Sequence, residues 1–270
     1  LCPPVPGRAD YLHHIADTLR ESSGVASLPT GRRIVGCDIG TGASLIYPLL
    51  GAAAYGWRFV ASESDSGSFA AAQALISANA QREASFDIDV RFQAAHLNVL
   101  TGVLNEGETI DFCMCNPPFF ASAEASFAAN ARKQSNLAHN IRKRGSVRGG
   151  MAGARTAATT SRTSSASATK GSNNFAGDAS ELWCEGGETR FIQRLAEQSG
   201  QASTQCLWFS SLVSRSDNLP RIHKTLENMR GIQDIKVIPM AQGSKSSQII
   251  LWTYVEKRQH AQWCQERWLQ

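Results

Sequence analysis

Residues 34–46 read Ile34-Val35-Gly36-Cys37-Asp38-Ile39-Gly40-Thr41-Gly42-Ala43-Ser44-Leu45-Ile46. A short apolar run over 34–38 closes on an acid, turns through two glycines, and opens onto an apolar helix start. That order is the strand–turn–helix entry of a doubly wound α/β sheet. The glycines let the backbone turn tightly and approach a ligand closely. The alternation continues outward from this stretch. Trp57–Glu63 reads as a second strand, and residues 66–80 as an Ala-rich helix with apolar residues at helical spacing. Residues 87–95 form a third strand. Ile110–Cys115 is a fourth, stopped by Asn116-Pro117-Pro118-Phe119 because proline cannot donate to a ladder. A helix around 186–199, a strand at 205–213, a helix at about 218–230 and strands near 234–239 and 247–255 complete the pattern. The short connection at 241–246 predicts an antiparallel hairpin at one edge. The expectation is one domain over 1–270, a mostly parallel seven-stranded sheet with a helical N-terminal extension over 1–30.

The chain has 270 residues with 27 basic and 23 acidic side chains, a formal net charge of +4, and 42% hydrophobic content. That is enough apolar material for a sizeable core. No apolar run approaches the roughly 18–20 residues that a spanning helix needs, so no membrane association is expected. The charge sits in one place. Residues 142–170 hold seven basic residues (Arg142, Lys143, Arg144, Arg148, Arg155, Arg162, Lys170) and no acid, leaving the remainder at −3. From about 143 to 178 the chain is mainly Ser, Thr, Ala, Gly and basic residues, which predicts a mobile, disordered insertion. The seven cysteines form no CxxC pair and several lie in apolar runs, so they read as structural thiols in an intracellular, reducing compartment. Leu1 in place of Met suggests that the natural N-terminus is missing.

Ligands of such sheets bind outside the carboxyl ends of the strands, and three features fall there. Asp38-Ile39-Gly40-Thr41-Gly42 follows strand one. Glu63 follows strand two, placed to accept hydrogen bonds from a ribose diol. No third glycine follows Gly42, which disfavours a dinucleotide packed on the helix N-terminus. The third feature is the Asn-Pro-Pro-Phe tetrad. Its prolines fix the backbone so that the Asn116 side chain and the Pro117 carbonyl converge on one point, and Phe119 can stack on a flat ring. Two acceptors on the protons of an aromatic amine favour the pyramidal geometry that frees its lone pair to attack a methyl sulfonium.

Together these motifs resemble the class I S-adenosylmethionine-dependent amino-methyltransferases. The similarity is closest to the bacterial large-subunit ribosomal RNA adenine-N(6) methyltransferases and their eukaryotic relatives acting on small nuclear RNA. Besides the glycine turn and the tetrad, it is carried by Pro3–Tyr11, Ile46–Leu49, Leu182–Glu188, Trp208–Arg215 and Met240–Gly243. The resemblance implies a Rossmann-like class I methyltransferase fold, S-adenosylmethionine as cofactor, and an adenine amine in structured RNA as acceptor. Ribosomal RNA comes first as substrate and small nuclear RNA next. By the same resemblance the cofactor is bound by Arg8, Asp38, Gly40, Gly42, Ser44, Glu63, His96 and Asn116, Arg8 taking its carboxylate and His96 lying near its adenine. Asn116, Pro117, Pro118 and Phe119 are the catalytic residues. Arg142, Lys143, Arg144 and Arg148 are candidates for holding RNA phosphates. A monomer in cytoplasm or nucleus is expected, without a metal, since His13-His14 has no third ligand in view.

Two other functions compete with this one. A protein glutamine-amide methyltransferase would also use an Asn-Pro-Pro-aromatic tetrad, and the intact tetrad, glycine turn and Glu63 argue against the other, an RNA-binding module that has lost catalysis. Glu185-Gly186-Gly187-Glu188 is read as acids complementing a helix N-terminus, and Trp208 and Trp252 as core.

Overall fold

The computed structural model describes residues 5–80, 86–95, 97–120, 122, 184–242 and 245–268. Its helices are α1 (Val5–Ser23), α2 (Ile46–Tyr55), α3 (Ser66–Asn79), α4 (Gly187–Ser199), α5 (Leu219–Glu227) and α6 (Lys257–Trp268). The strands are β1 (Val35–Ile39), β2 (Arg58–Glu63), β3 (Ile88–Phe92), β4 (Ile110–Cys115), β5 (Cys206–Val213), β6 (Asp234–Gln242) and β7 (Lys245–Thr253). They make one seven-stranded sheet in the order β3-β2-β1-β4-β5-β7-β6. Strands β1 to β5 pair parallel, and β7 runs antiparallel to both β5 and β6. The expected mostly parallel sheet with an edge hairpin is therefore the observed one.

Every residue of β1 and β4 is buried, Asp38 and Asp111 included, as in central strands covered on both faces. Two apolar layers do the covering. On one face α1 contributes Tyr11, Leu12, Ile15 and Leu19, which pack with Tyr47 of α2, Trp57, Phe59, Phe112 and Trp208. On the other, Ile192 and Leu195 of α4 and Ile222 and Leu226 of α5 pack over Cys37, Cys113 and Cys206. Each such side chain contributes about 1.5–3 kcal/mol when fully buried. The indole N–H of Trp208 donates to Ser22 Oγ at 2.8 Å and that of Trp252 to Ser199 Oγ at 3.0 Å, so both core tryptophans are satisfied.

Two expectations change. The N-terminal segment is not an appendage: α1 is a core layer, ended at Gly24, whose left-handed φ of 70° turns its N–H back to Arg20 O. The sequence reading also stops at residue 255, whereas the chain adds α6. This helix buries His260 and Cys264 and is tied down by Asp111, which accepts from Val35 N–H, Trp263 Nε1 and Arg267 Nε. No helix of the described residues is long and apolar enough to cross a membrane.

Candidate active site

The strand order reverses between β1 and β4, and ligands of open α/β sheets bind at such a switch point. There Asp38 pairs with Met114 and Ile39 with Cys115. One residue further on, β1 becomes Gly40 and β4 becomes Asn116, so the glycine turn and the tetrad start side by side.

Gly40 and Gly42 adopt φ of 69° and 67°, and the N–H groups of Gly40 and Thr41 both donate to Ser62 O at 3.0 Å. Leu45 then closes the turn in a left-handed conformation at φ 50°, alone among the described non-glycine residues, and is fully buried. A side chain held there costs on the order of 1–2 kcal/mol, strain concentrated where the turn hands over to α2. Glu63 braces the turn from β2. Its Oε2 accepts from Gly42 N–H and its Oε1 from Ser64 and Asp65 N–H, each at 2.8 Å. The next residues start α3, where Asp65 caps the helix by accepting from Ser68 N–H.

Four groups at this end of the sheet are buried without a hydrogen-bond partner: both oxygens of Asp38, Thr41 Oγ1, Asn116 Oδ1 and Arg8 Nε. Native interiors rarely leave such atoms unsatisfied. Burial pushes the Asp38 carboxyl up to about 7; the nearby Thr41 hydroxyl eases that rise and the charge of Glu63 adds to it. Tyr47, the second residue of α2, lies between Arg8 and Asp38. Burial pushes its hydroxyl well up, the Arg8 guanidinium opposes the rise, and Asp38 and Cys115 reinforce it.

Of the expected site residues, Asp38, Gly40, Gly42, Glu63 and Asn116 therefore lie at the same end of β1, β2 and β4, and Arg8 reaches Tyr47 beside them. Ser44 is half-buried in the same turn. Pro117 is buried, while Pro118 and Phe119 keep partly open faces. His96 lies outside the described residues, as do Arg142, Lys143, Arg144, Arg148 and the 143–178 segment. Phe120 and Cys184, which lie further out on either side, are described: Cys184 N–H donates to Phe120 O at 3.0 Å, next to the tetrad.

Sequence reasoning missed Thr41 and Tyr47; a hydroxyl inside the glycine turn was the available signal for the first. Glu188 lies in the first turn of α4, as expected of an acid complementing that terminus; the side chain is only 2% exposed and also accepts from Ser214 N–H and Asn218 Nδ2 at 2.6 and 2.7 Å. It ties the start of α4 to the end of β5, and Gly186 occupies the cap without a side-chain bond.

Residues 1–256 match the family described as RNA methyltransferase. The chain belongs to that RNA methyltransferase family. Relatives named Ribosomal RNA large subunit methyltransferase F are 43% identical in Photobacterium profundum and 39% in Dechloromonas aromatica. The alignments cover 99% of this chain in both cases and 75% and 71% of those proteins. Among solved structures, the hMettl16 catalytic domain in complex with MAT2A 3'UTR hairpin 6 superposes with a TM-score of 0.64. It is 27% identical, over 95% of this chain and 73% of that one. The N-terminal domain of human METTL16 in complex with SAH gives 0.60 at 25% identity, again over 95% and 73%. The fold is thus that of the RNA methyltransferase family, as its sheet order indicated. The family match weighs against the glutamine-amide alternative.

Proposed function

We propose that this RNA methyltransferase moves the methyl group of S-adenosylmethionine to the exocyclic N(6) amine of an adenine, with large-subunit ribosomal RNA as the favoured substrate. One observation carries the reading: the partnerless Asn116 Oδ1, buried at the end of β4 beside a turn that gathers the other unsatisfied groups. The ribosomal assignment is supported by the names of the relatives.

The unsatisfied groups fit the cofactor. An amino-acid zwitterion needs one anionic and one cationic partner, and Asp38 and Arg8 supply them; a guanidinium holds a carboxylate bidentately. Gly40, Gly42 and Ser44 would line its path, and Glu63 would address the ribose from β2. When bound, the cofactor supplies an electrophilic methyl group on a sulfonium.

The remaining work belongs to the chain. Asn116 Oδ1 and the Pro117 carbonyl accept from the two amine protons and draw the nitrogen toward pyramidal geometry, a preference realised in the transition state. Phe119 stacks on the base, which must leave its helix to be reached. Loops and bulges, whose bases splay out, suit that requirement. No strong base is required of the protein, since the proton departs after transfer. Arg142, Lys143, Arg144 and Arg148 would hold phosphates, a role consistent with their place in the sequence between Phe120 and Cys184, which meet next to the tetrad.

The test supplies methyl-labelled S-adenosylmethionine with protein-free ribosomal RNA and digests the RNA to nucleosides. Label is expected in N(6)-methyladenosine, and Asn116→Ala is expected to lower it at least about 100-fold while sparing RNA binding. Label in another nucleoside, or an undiminished rate in N116A, overturns the reading.

A further inference from the structure

We infer that the hydroxyls of Tyr11 and Ser210 form a brace that positions Asn116, replacing the ladder hydrogen bonds β4 loses where it parts from β5. The inference rests on the role proposed above for Asn116 and adds two positioning residues to it.

Strands β4 and β5 pair only through Ile110–Cys206, Phe112–Trp208 and Cys113–Phe209. Beyond that point β5 continues beside β7 as far as Val213–Gln248, and β4 continues beside β1 as far as Ile39–Cys115. The last residues of β4 therefore have a strand on one side only. They are also buried, Met114 at 0% and Cys115 at 1% exposure. A buried backbone group left unpaired there would cost about 1–3 kcal/mol and loosen the segment that carries Asn116.

The gap is filled by side chains from elements far apart in sequence. Ser210 Oγ donates to Cys113 O at 2.8 Å and lies 2.9 Å from Tyr11 Oη. A hydroxyl has one proton. Ser210 spends its proton on Cys113, so the Tyr11 hydroxyl is the donor in the second bond. That assignment leaves the phenolic lone pairs to the Cys115 amide, which lies close enough to offset part of the effect of burial on Tyr11. Tyr11 and Ser210 are both fully buried, and Tyr47 holds the Tyr11 ring edge-on at 5.7 Å. Tyr11 also lies one helical turn from Arg8 on α1. The Tyr11–Ser210 contact thus fixes the strand end before Asn116.

The experiment compares Tyr11→Phe, Ser210→Ala and the double variant, each of which removes only hydroxyl oxygens. Turnover is measured at saturating S-adenosylmethionine and protein-free ribosomal RNA, and cofactor Kd by calorimetry. A displaced catalytic group loses rate steeply, about 100-fold per ångström. Each single variant is expected to lose tenfold or more in kcat with cofactor Kd held within twofold, and the double variant to be no slower than the slower single one within twofold, because the hydroxyls act as a unit. Single variants within twofold of wild-type kcat overturn the brace even if their Tm falls, and so do losses that multiply. Amide exchange at Cys115 and Asn116 reads the brace without any activity. It is expected to accelerate at least tenfold in Y11F, and unchanged exchange overturns the brace. A wild-type enzyme that methylates no RNA but shows the accelerated exchange in Y11F would overturn the proposed function and leave the brace standing.

Discussion

Replacing Asp38 by Asn removes a charge and keeps the shape, and it is expected to make the cofactor-free protein more stable while weakening cofactor capture. The wild-type carboxyl is pushed from 3.8 to about 7 by burial. Between those values the folded form holds a proton that the unfolded chain has released. The stability associated with that proton is complete below pH 3.8 and is lost as pH rises through about 7. A shift of about three units corresponds to roughly 4 kcal/mol lost by pH 8. D38N escapes this loss, so its cofactor-free Tm at pH 8 is expected to exceed that of the wild type, the gap narrowing as pH falls toward 4. Cofactor binding runs the other way. If the ammonium of S-adenosylmethionine pairs with ionised Asp38, then lowering pH from 8 to 6 leaves about a tenth of the sites competent and weakens wild-type Kd about tenfold. Thr41, Tyr47 and Glu63 surround the group. The assays are calorimetric titration and thermal unfolding at pH 6, 7 and 8 for both proteins. A wild-type Kd independent of pH over this range, or a D38N protein no more stable than wild type at pH 8, would refute the reasoning.

Deleting residues 143–176 is expected to weaken ribosomal RNA binding and flatten its dependence on salt, with cofactor Kd unchanged, because lost phosphate contacts reduce counterion release; unchanged RNA affinity counts against it. Asp111→Ala strands three donors, one of them the Arg267 guanidinium. It is expected to cost about 3–5 kcal/mol in denaturant unfolding, whereas cofactor affinity, read at the opposite end of the sheet, should hold.

How much of this was legible beforehand differs by element. β1, the glycine turn and the proline-stopped β4 announce themselves locally, because burial on both faces demands an apolar run and a turn demands glycine. Asp38 and Asn116 were assigned correctly to the same strand ends for that reason. Helix α6 was missed because only His260 and Cys264 of its residues are buried; what holds it is Asp111, a partner more than 150 residues away. An acid in the first turn of a helix answers the helix dipole, and Glu188 does lie there; its further bonds to Ser214 and Asn218, 26 and 30 residues on, leave no local trace. The Tyr11–Ser210 contact spans 199 residues and leaves no periodic trace.

The bond between Cys184 and Phe120 has an evolutionary consequence. It brings Phe120 and Cys184 together next to the tetrad, and the entropic cost of joining two ends grows only logarithmically with the length between them, about 0.6 kcal/mol for each doubling. Replacing the chain between them with a longer or shorter one therefore costs the fold little and leaves the tetrad where it is. At this junction the intervening length can change while the chemistry next to it stays the same.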